Sequence, residues 1–282
     1  MQTKIILIVI GIVLIAIGGS LVYIHLVKPS SPTSPQQTTS MITALSLPTQ
    51  AEVNQTIGSQ WHVIGMLVLN DSQSVSNFIV KNGTALYVEV LQNGNVSVTI
   101  EEYLFNSTHF KLNTSNASIK IYKNIEIVST VSGNKSAVDL APFVNLAYSV
   151  ILGDNGTVPS VPSYLILSDL KFVEFGYYQS NNNTEYTIIY RNTSVQNINI
   201  SYVEIQVLNS PNASGIYSSY YSSVEHYVNQ STYNGATYFN FSSIYYGYII
   251  VGYKGNYLIY ISSSSGPYFN VFMQIVDKLP SM

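Results

Sequence analysis

The stretch Thr84–Phe105, TALYVEVLQNGNVSVTIEEYLF, decides the fold. Thr84–Leu91 alternates, Asn93-Gly94 supplies a hairpin turn, and Asn95–Phe105 returns. In the return, Val96, Val98 and Ile100 share one face, and Asn95, Ser97, Thr99 and Glu101 share the other. A period of two with apolar residues on one side is the mark of a half-buried antiparallel strand. Glu101 and Glu102, adjacent on that strand, must point to opposite faces, so they cannot form an acid pair with each other. Each is free to pair with a distant acid.

Working outward, the same style continues. Thr49–Ile57 reads as a short helix stopped at Gly58, and Trp61–Leu69 as an apolar run. Ser118–Thr130 reads as a strand, and Asp139–Leu152 as a helix that Asp139 can cap and Gly153 can end. Further on, Phe172–Tyr178 and Glu185–Tyr190 form a hairpin around Asn181–Asn183. Val195–Leu208 reads as a long strand whose phase slips near Ser201 and Tyr202, the sign of a bulge. Asn212–Val228 reads as a helix with Ile216, Tyr220, Val224 and Tyr227 on one side. Strands follow at Tyr238–Phe241, Tyr246–Tyr253 and Asn256–Ser262, with a turn at Lys254-Gly255. A last helix starts near Pro267, buries Phe269, Phe272, Ile275, Val276 and Leu279, and stops at Pro280. Runs of strands separated by about four helices predict an α+β fold, mainly antiparallel sheet, over residues 48–282. One continuous sheet and two half-domains are both compatible with the pattern. A boundary would fall in Gly153–Ser163, where Gly153, Gly156, Pro159 and Pro162 cluster.

The N-terminus has a different character. Ile5–Leu26 contains no charged residue and is apolar all round. At 1.5 Å per residue it covers about 33 Å, enough for a hydrocarbon core of ~30 Å. Residues 1–27 are therefore expected to be a transmembrane anchor. The run exceeds the usual apolar region of a signal peptide, although Gly18-Gly19-Ser20 keeps a cleavable signal open. Residues 28–47, with three prolines among Ser, Thr and Gln, read as an extended stalk of at most ~60 Å. Lys4 and Lys28 flank the anchor symmetrically, so the downstream sequence sets the orientation: N-terminus in, the rest outside.

That downstream sequence is dense in N-glycosylation sequons. Fifteen asparagines have Ser or Thr two places on, without Pro between. They are Asn54, Asn70, Asn82, Asn95, Asn106, Asn113, Asn116, Asn134, Asn155, Asn182, Asn192, Asn199, Asn212, Asn229 and Asn240. The chain's own Asn and Ser/Thr content gives about five by chance. None lies in the anchor or stalk.

Charge and composition exclude much else. Only 9% of the residues are charged, with a net charge of −3, no cysteine and 24 tyrosines. A soluble domain carries about 25% charged residues. With Arg191 as the one arginine, there is no electrostatic footprint for nucleic acid. Without cysteine there is no disulfide framework, thiol nucleophile or thiolate metal site. His25, His62, His109 and His226 show no metal-helix spacing, and Glu225-His226, adjacent on a helix, point apart. Nucleophile elbows and glycine-rich phosphate loops are absent. No catalytic, cofactor or metal site is expected. Tyr217, Tyr220, Tyr221 and Tyr227 on one helix, and Tyr245, Tyr246, Tyr248 and Tyr253 on neighbouring strands, are either half-buried sheet residues or an aromatic binding face.

The cysteine-free Ile/Tyr/Asn/Ser composition, the anchor Ile5–Leu26, the Pro/Ser/Thr stalk and the fifteen sequons together resemble surface and secreted proteins of thermoacidophilic archaea. In gross form the chain is also similar to the sulfolobicins, antimicrobial proteins of membranes and vesicles. The resemblance covers the whole chain as a style and implies no site residue. The leading expectation is a non-enzymatic, single-pass cell-surface glycoprotein that binds or adheres. Its partners would be the membrane, through the N-terminal helix, and envelope proteins, glycans or a target-cell membrane. A vesicle-associated antimicrobial protein is the alternative, and an exported acid hydrolase a further one. A solute-sensing or transport accessory module completes the set.

Overall fold

The computed structural model describes residues 41–280, apart from 73–74, 108–116, 133–137, 154–159, 169, 181, 192–201, 244–246 and 265. The expected anchor lies outside the described residues, as does the stalk up to residue 40. Among the described residues no helix is long and apolar enough to cross a membrane. The chain is α+β, mostly antiparallel sheet with four helices, and divides into two compact units between Pro159 and Ser160. That division lies inside the Gly153–Ser163 stretch.

Unit 1 begins earlier than the composition suggests. Leu45 and Leu47 are buried in its core, so the packed part starts before Pro48. Asn124 fixes this segment. Its side-chain amide donates to the Ile42 and Phe105 carbonyls, both at 2.9 Å, and its Oδ1 accepts from the Ile42 N–H at 2.7 Å. Helix α1 (Gln50–Thr56) follows a capping box. The Thr49 hydroxyl meets the Glu52 N–H, and the Glu52 carboxylate meets the Thr49 N–H at 2.7 Å. Strands β1 (His62–Leu69), β2 (Gly83–Asn93), β3 (Val96–Phe105), β4 (Ser118–Tyr122) and β5 (Ile125–Ser132) pair antiparallel in the order β4-β5-β3-β2-β1. A π-helical turn, Val75–Ile79, links β1 to β2. Helix α2 (Ala141–Gly153) closes the unit, with the Asp139 carboxylate accepting from the Ala141 N–H at 3.0 Å.

Two expectations shift here. The β2–β3 turn is centred on Gly94-Asn95, because Asn93 pairs with Val96, and Gly94 takes the left-handed φ of 57°. Ser118–Thr130 is two strands. The chain reverses at Lys123-Asn124, with Lys123 at φ 53°, and Tyr122 pairs back on Ile125. Alternation holds within each strand, so the sequence pattern did not betray the reversal.

One core cluster of unit 1 lies on the sheet face under α1 and α2. Val68, Tyr87, Leu91, Val98, Ile100, Ile125 and Ile127 meet Trp61, Phe143, Leu146 and Val150 there. Trp61 sets its edge on Phe143, with ring centroids 5.0 Å apart. The opposite face is buried as well, at Leu86, Val88, Tyr103, Phe105 and Val128. So β3 is buried on both faces and is not the half-buried strand that its alternation suggests.

Unit 2 opens with a 3-10 turn (Ser163–Leu165). Strands β6 (Lys171–Ser180), β7 (Asn183–Arg191), β8 (Tyr202–Asn209), β9 (Ser231–Tyr233), β10 (Ala236–Ser243), β11 (Gly247–Lys254) and β12 (Tyr257–Ser263) pair in the order β6-β7-β8-β12-β11-β10-β9. Helix α3 (Ala213–Ser222) stands between β8 and β9, and helix α4 (Phe269–Lys278) ends the unit. The two helices take opposite faces. Tyr238 packs on Phe269 and Phe272 of α4, while its neighbour Phe239 packs on Tyr217 and Tyr221 of α3. Gly252 permits the α4 contact: a Cβ there would come within 2.7 Å of the Phe272 ring.

Helix α3 is shorter than expected. It ends at Ser222, and Ser223, Val224 and Tyr227 donate in succession to carbonyls three residues back. Ser218, Ser219, Ser222 and Ser223 each bond a carbonyl of the helix through their hydroxyls, a habit that weakens helix continuation. The first half of Val195–Leu208, up to Ser201 of the bulge expected near Ser201 and Tyr202, lies outside the described residues, and β8 starts at Tyr202.

Candidate functional site

The fifteen sequon asparagines come first. Nine are described, Asn54, Asn70, Asn82, Asn95, Asn106, Asn182, Asn212, Asn229 and Asn240, and all nine are exposed. Asn113, Asn116, Asn134, Asn155, Asn192 and Asn199 lie outside the described residues. Seven of the nine sit in turns or at element ends; the others are on α1 and within β10. Asn82 adopts φ 65° and its carbonyl accepts from the Asn106 N–H, so these two sequons stand side by side. By contrast Asn124, which has no Ser or Thr two places on, is buried.

The carboxyl groups are the second feature, and alternation sorts them. In unit 1, Glu101 and Glu102 do face opposite ways. Glu102 pairs with Tyr87 across the ladder and Glu89 pairs with Ile100, which puts both carboxyl groups on the face covered by α1 and α2. Both are fully buried, and among the described residues none of their four oxygens has a hydrogen-bond partner. Burial holds Glu89 well above the usual carboxylate range, with the Glu52 charge adding to it. Burial does the same for Glu102, helped by Glu89. On the other face, Glu101 accepts from the Tyr103 hydroxyl at 2.6 Å, and Glu126 lies opposite Tyr103. Burial, then Glu101, raises the Tyr103 phenol strongly.

Unit 2 arranges its acids differently. Glu174 pairs across β7 with Ile189, and Ile189 with Glu204, so the two glutamates share the face that carries α3, with one strand between them. Two strand spacings put their backbones about 10 Å apart. Glu185 and Thr187 of β7 and Gln206 of β8 fall on that face too. All five are half-buried. Glu204 is held by donors, Gln206 Nε2 at 2.7 Å and Ser262 Oγ at 3.4 Å. Glu174 is pushed up to about 7 by burial and then by Glu204. Glu185 is raised by the same two causes, and Tyr220 of α3 is raised by burial and then by Glu185. Glu174, which keeps its proton in mild acid, shares the face with Glu204 and its donors, a polar set suited to binding hydroxyl groups. No sequon asparagine lies in β6, β7, β8 or β12, although the Asn182 sequon ends in the first residues of β7.

The tyrosines divide. Tyr217 is buried between Tyr221, Phe239 and Tyr253. Tyr220 and Tyr253 are half-buried, Tyr248 is exposed, and Tyr227, beyond the end of α3, is 88% exposed. Tyr245 and Tyr246 lie outside the described residues, as do His25 and His109, whereas His62, Glu225 and His226 are exposed. Among the described residues no group of three or more His, Asp or Glu is placed to hold a metal ion. Sequence alone placed Glu102 on a face; that Glu89 shares it required the register of the β2–β3 hairpin.

Comparison with family profiles, curated proteins and solved structures finds no match to this chain.

Proposed function

We propose that the chain is a membrane-anchored, N-glycosylated surface protein that acts by binding, outside the cell and in acid. The observation that carries this reading is the placement of the sequons. Every described sequon asparagine is exposed, while the strands that present Glu174, Glu185 and Glu204 contain none. Glycans at those positions would clothe turns and margins and leave the carboxyl face of unit 2 uncovered. With so few charges, the surface draws its hydration from sugars, whose hydration is indifferent to pH. In acid, Glu174, held up to about 7, carries a proton and can donate to ligand oxygens, with Glu185, Glu204 and Gln206 as further polar groups on the same face. Tyr220 adds an aromatic wall. That set fits a hydroxyl-rich ligand such as an envelope glycan.

The test is binding of the full chain to isolated envelopes at acid pH. Retention in the membrane fraction, with envelope binding lost in a Glu204→Ala, Tyr220→Ala variant, supports the reading. A freely soluble protein, or binding indifferent to that variant, contradicts it.

A second reading rests on the same pair. Glu174, pushed up to about 7 by burial and then by Glu204, would be the acid of a two-carboxyl pair with Glu204 on the same face. An exported acid hydrolase would release reducing sugar from envelope polysaccharide and lose that activity in Glu174→Gln.

A further inference from the structure

Glu89 and Glu102 are unusual because no described residue receives them. They sit diagonally on one face of the β2–β3 ladder, fully buried, with four oxygens unpartnered. An ionised carboxylate in such surroundings is costly unless paired. Among the described residues, the groups facing them offer no free cation. From α1 comes Glu52, whose carboxylate is engaged with the Thr49 N–H and hydroxyl. From β2 comes Tyr87, whose hydroxyl accepts from Asn70. From β5 comes Ser129, buried and itself unpartnered. The segment 42–47 and the turn Val75–Ile79 contain no titratable residue, α2 supplies only Tyr148, and His62 of β1 is exposed at the strand start. Lys120 of β4 shares the face, beyond Ile127 from Glu102. Its ammonium is turned to Asn145 at 2.9 Å and over the Tyr148 ring at 3.7 Å. Glu101, Tyr103 and Glu126 belong to the opposite face.

We infer that unit 1 is an acid-dependent fold: Glu89 and Glu102 enter its core as neutral carboxylic acids, and raising the pH loosens the unit by forcing them to ionise. The sign follows from linkage. The folded state holds protons that the unfolded chain releases near pH 4, so stability is full below that point and falls as pH rises. On the surface-protein reading above, a chain made near neutrality would leave the cell with unit 1 weakly held and set firmly in the acid outside. The folding inference itself does not need that reading.

Trp61 makes the test local. It is the chain's single tryptophan and is buried in the core of unit 1. Denaturant unfolding of the full chain in detergent, followed by Trp61 emission from pH 3 to pH 7, reads this unit by itself. The expected result is a folding equilibrium that falls up to ~100-fold per pH unit while both acids ionise, and up to ~10-fold in Glu102→Gln. The Glu89→Gln, Glu102→Gln protein should lose most of this dependence, which separates the pair from Glu101 and Glu126. If the double variant fails to fold, the wild-type series and the single variant still decide. A Trp61 midpoint unchanged from pH 3 to pH 7, or one that falls as steeply with the glutamines in place, overturns the inference. Membrane retention and glycosylation are measured separately, so failure of the surface-protein reading leaves this result standing.

Discussion

Glu102 lies across the β2–β3 ladder from Tyr87 and diagonally from Glu89, and both glutamates are buried without a hydrogen-bond partner among the described residues. Its chain neighbour Glu101 is on the other face, bonded to Tyr103. One step along a strand therefore separates an acid held by a donor from one that must stay neutral. Acid chemistry and fold are tied together at that step.

The same logic extends to unit 2. Glu174, pushed up to about 7, keeps in the folded state a proton that the unfolded chain loses near pH 4. Its contribution is therefore full in acid and is lost as pH rises toward 7. Glu174 is half-buried, so solvent screens part of the effect. The expected outcome is a near-ultraviolet tyrosine signal from unit 2 that melts earlier at pH 7 than at pH 4, with the difference reduced in Glu174→Gln.

Asn124 ties the start of the packed chain to the sheet through three hydrogen bonds. Asn124→Ala leaves buried backbone groups unpaired and should cost about 2–4 kcal/mol. Protease cleavage within residues 41–47 should accelerate. Unchanged cleavage would show that Leu45 and Leu47 hold the segment without it.

Thr49 caps α1 through a reciprocal pair with Glu52. Thr49→Ala should destabilise unit 1 by about 1 kcal/mol, seen as a lower denaturant midpoint of Trp61 emission. Thr49→Ser should restore it.

Gly252 lies under the Phe272 ring. Gly252→Ala should destabilise unit 2 by about 1–3 kcal/mol through overpacking. Combining it with Phe272→Leu should cost less than the two changes added, a coupling that a double-mutant cycle measures directly.

The hairpin that decides the fold was legible because Val96–Glu101 alternates after a glycine turn, although the apolar runs Ala85–Val88 and Tyr103–Phe105 bury both faces of the strands. The opposition of Glu101 and Glu102 followed from the same alternation. Other features needed contacts. The reversal at Lys123-Asn124 carries no glycine or proline, so two strands read as one. The apolar period of α3 runs on through Val224 and Tyr227, but a serine-rich face and successive three-residue turns end the helix at Ser222. Leu45 and Leu47 sit in a compositionally loose segment, and their burial and the bonds from Asn124, some eighty residues away, show that the segment is packed. Glu174 and Glu204 are thirty residues apart, and the order of the sheet strands alone brings them to one face.

The measurement that bears most directly on the functional account is peptide mass spectrometry of the chain isolated from its native membranes. Glycans are expected on the exposed sequons, Asn54, Asn70, Asn82, Asn95, Asn106, Asn182, Asn212, Asn229 and Asn240 among them, and none on Asn124. An unmodified chain, or one recovered only from the soluble fraction, contradicts a membrane-anchored surface glycoprotein.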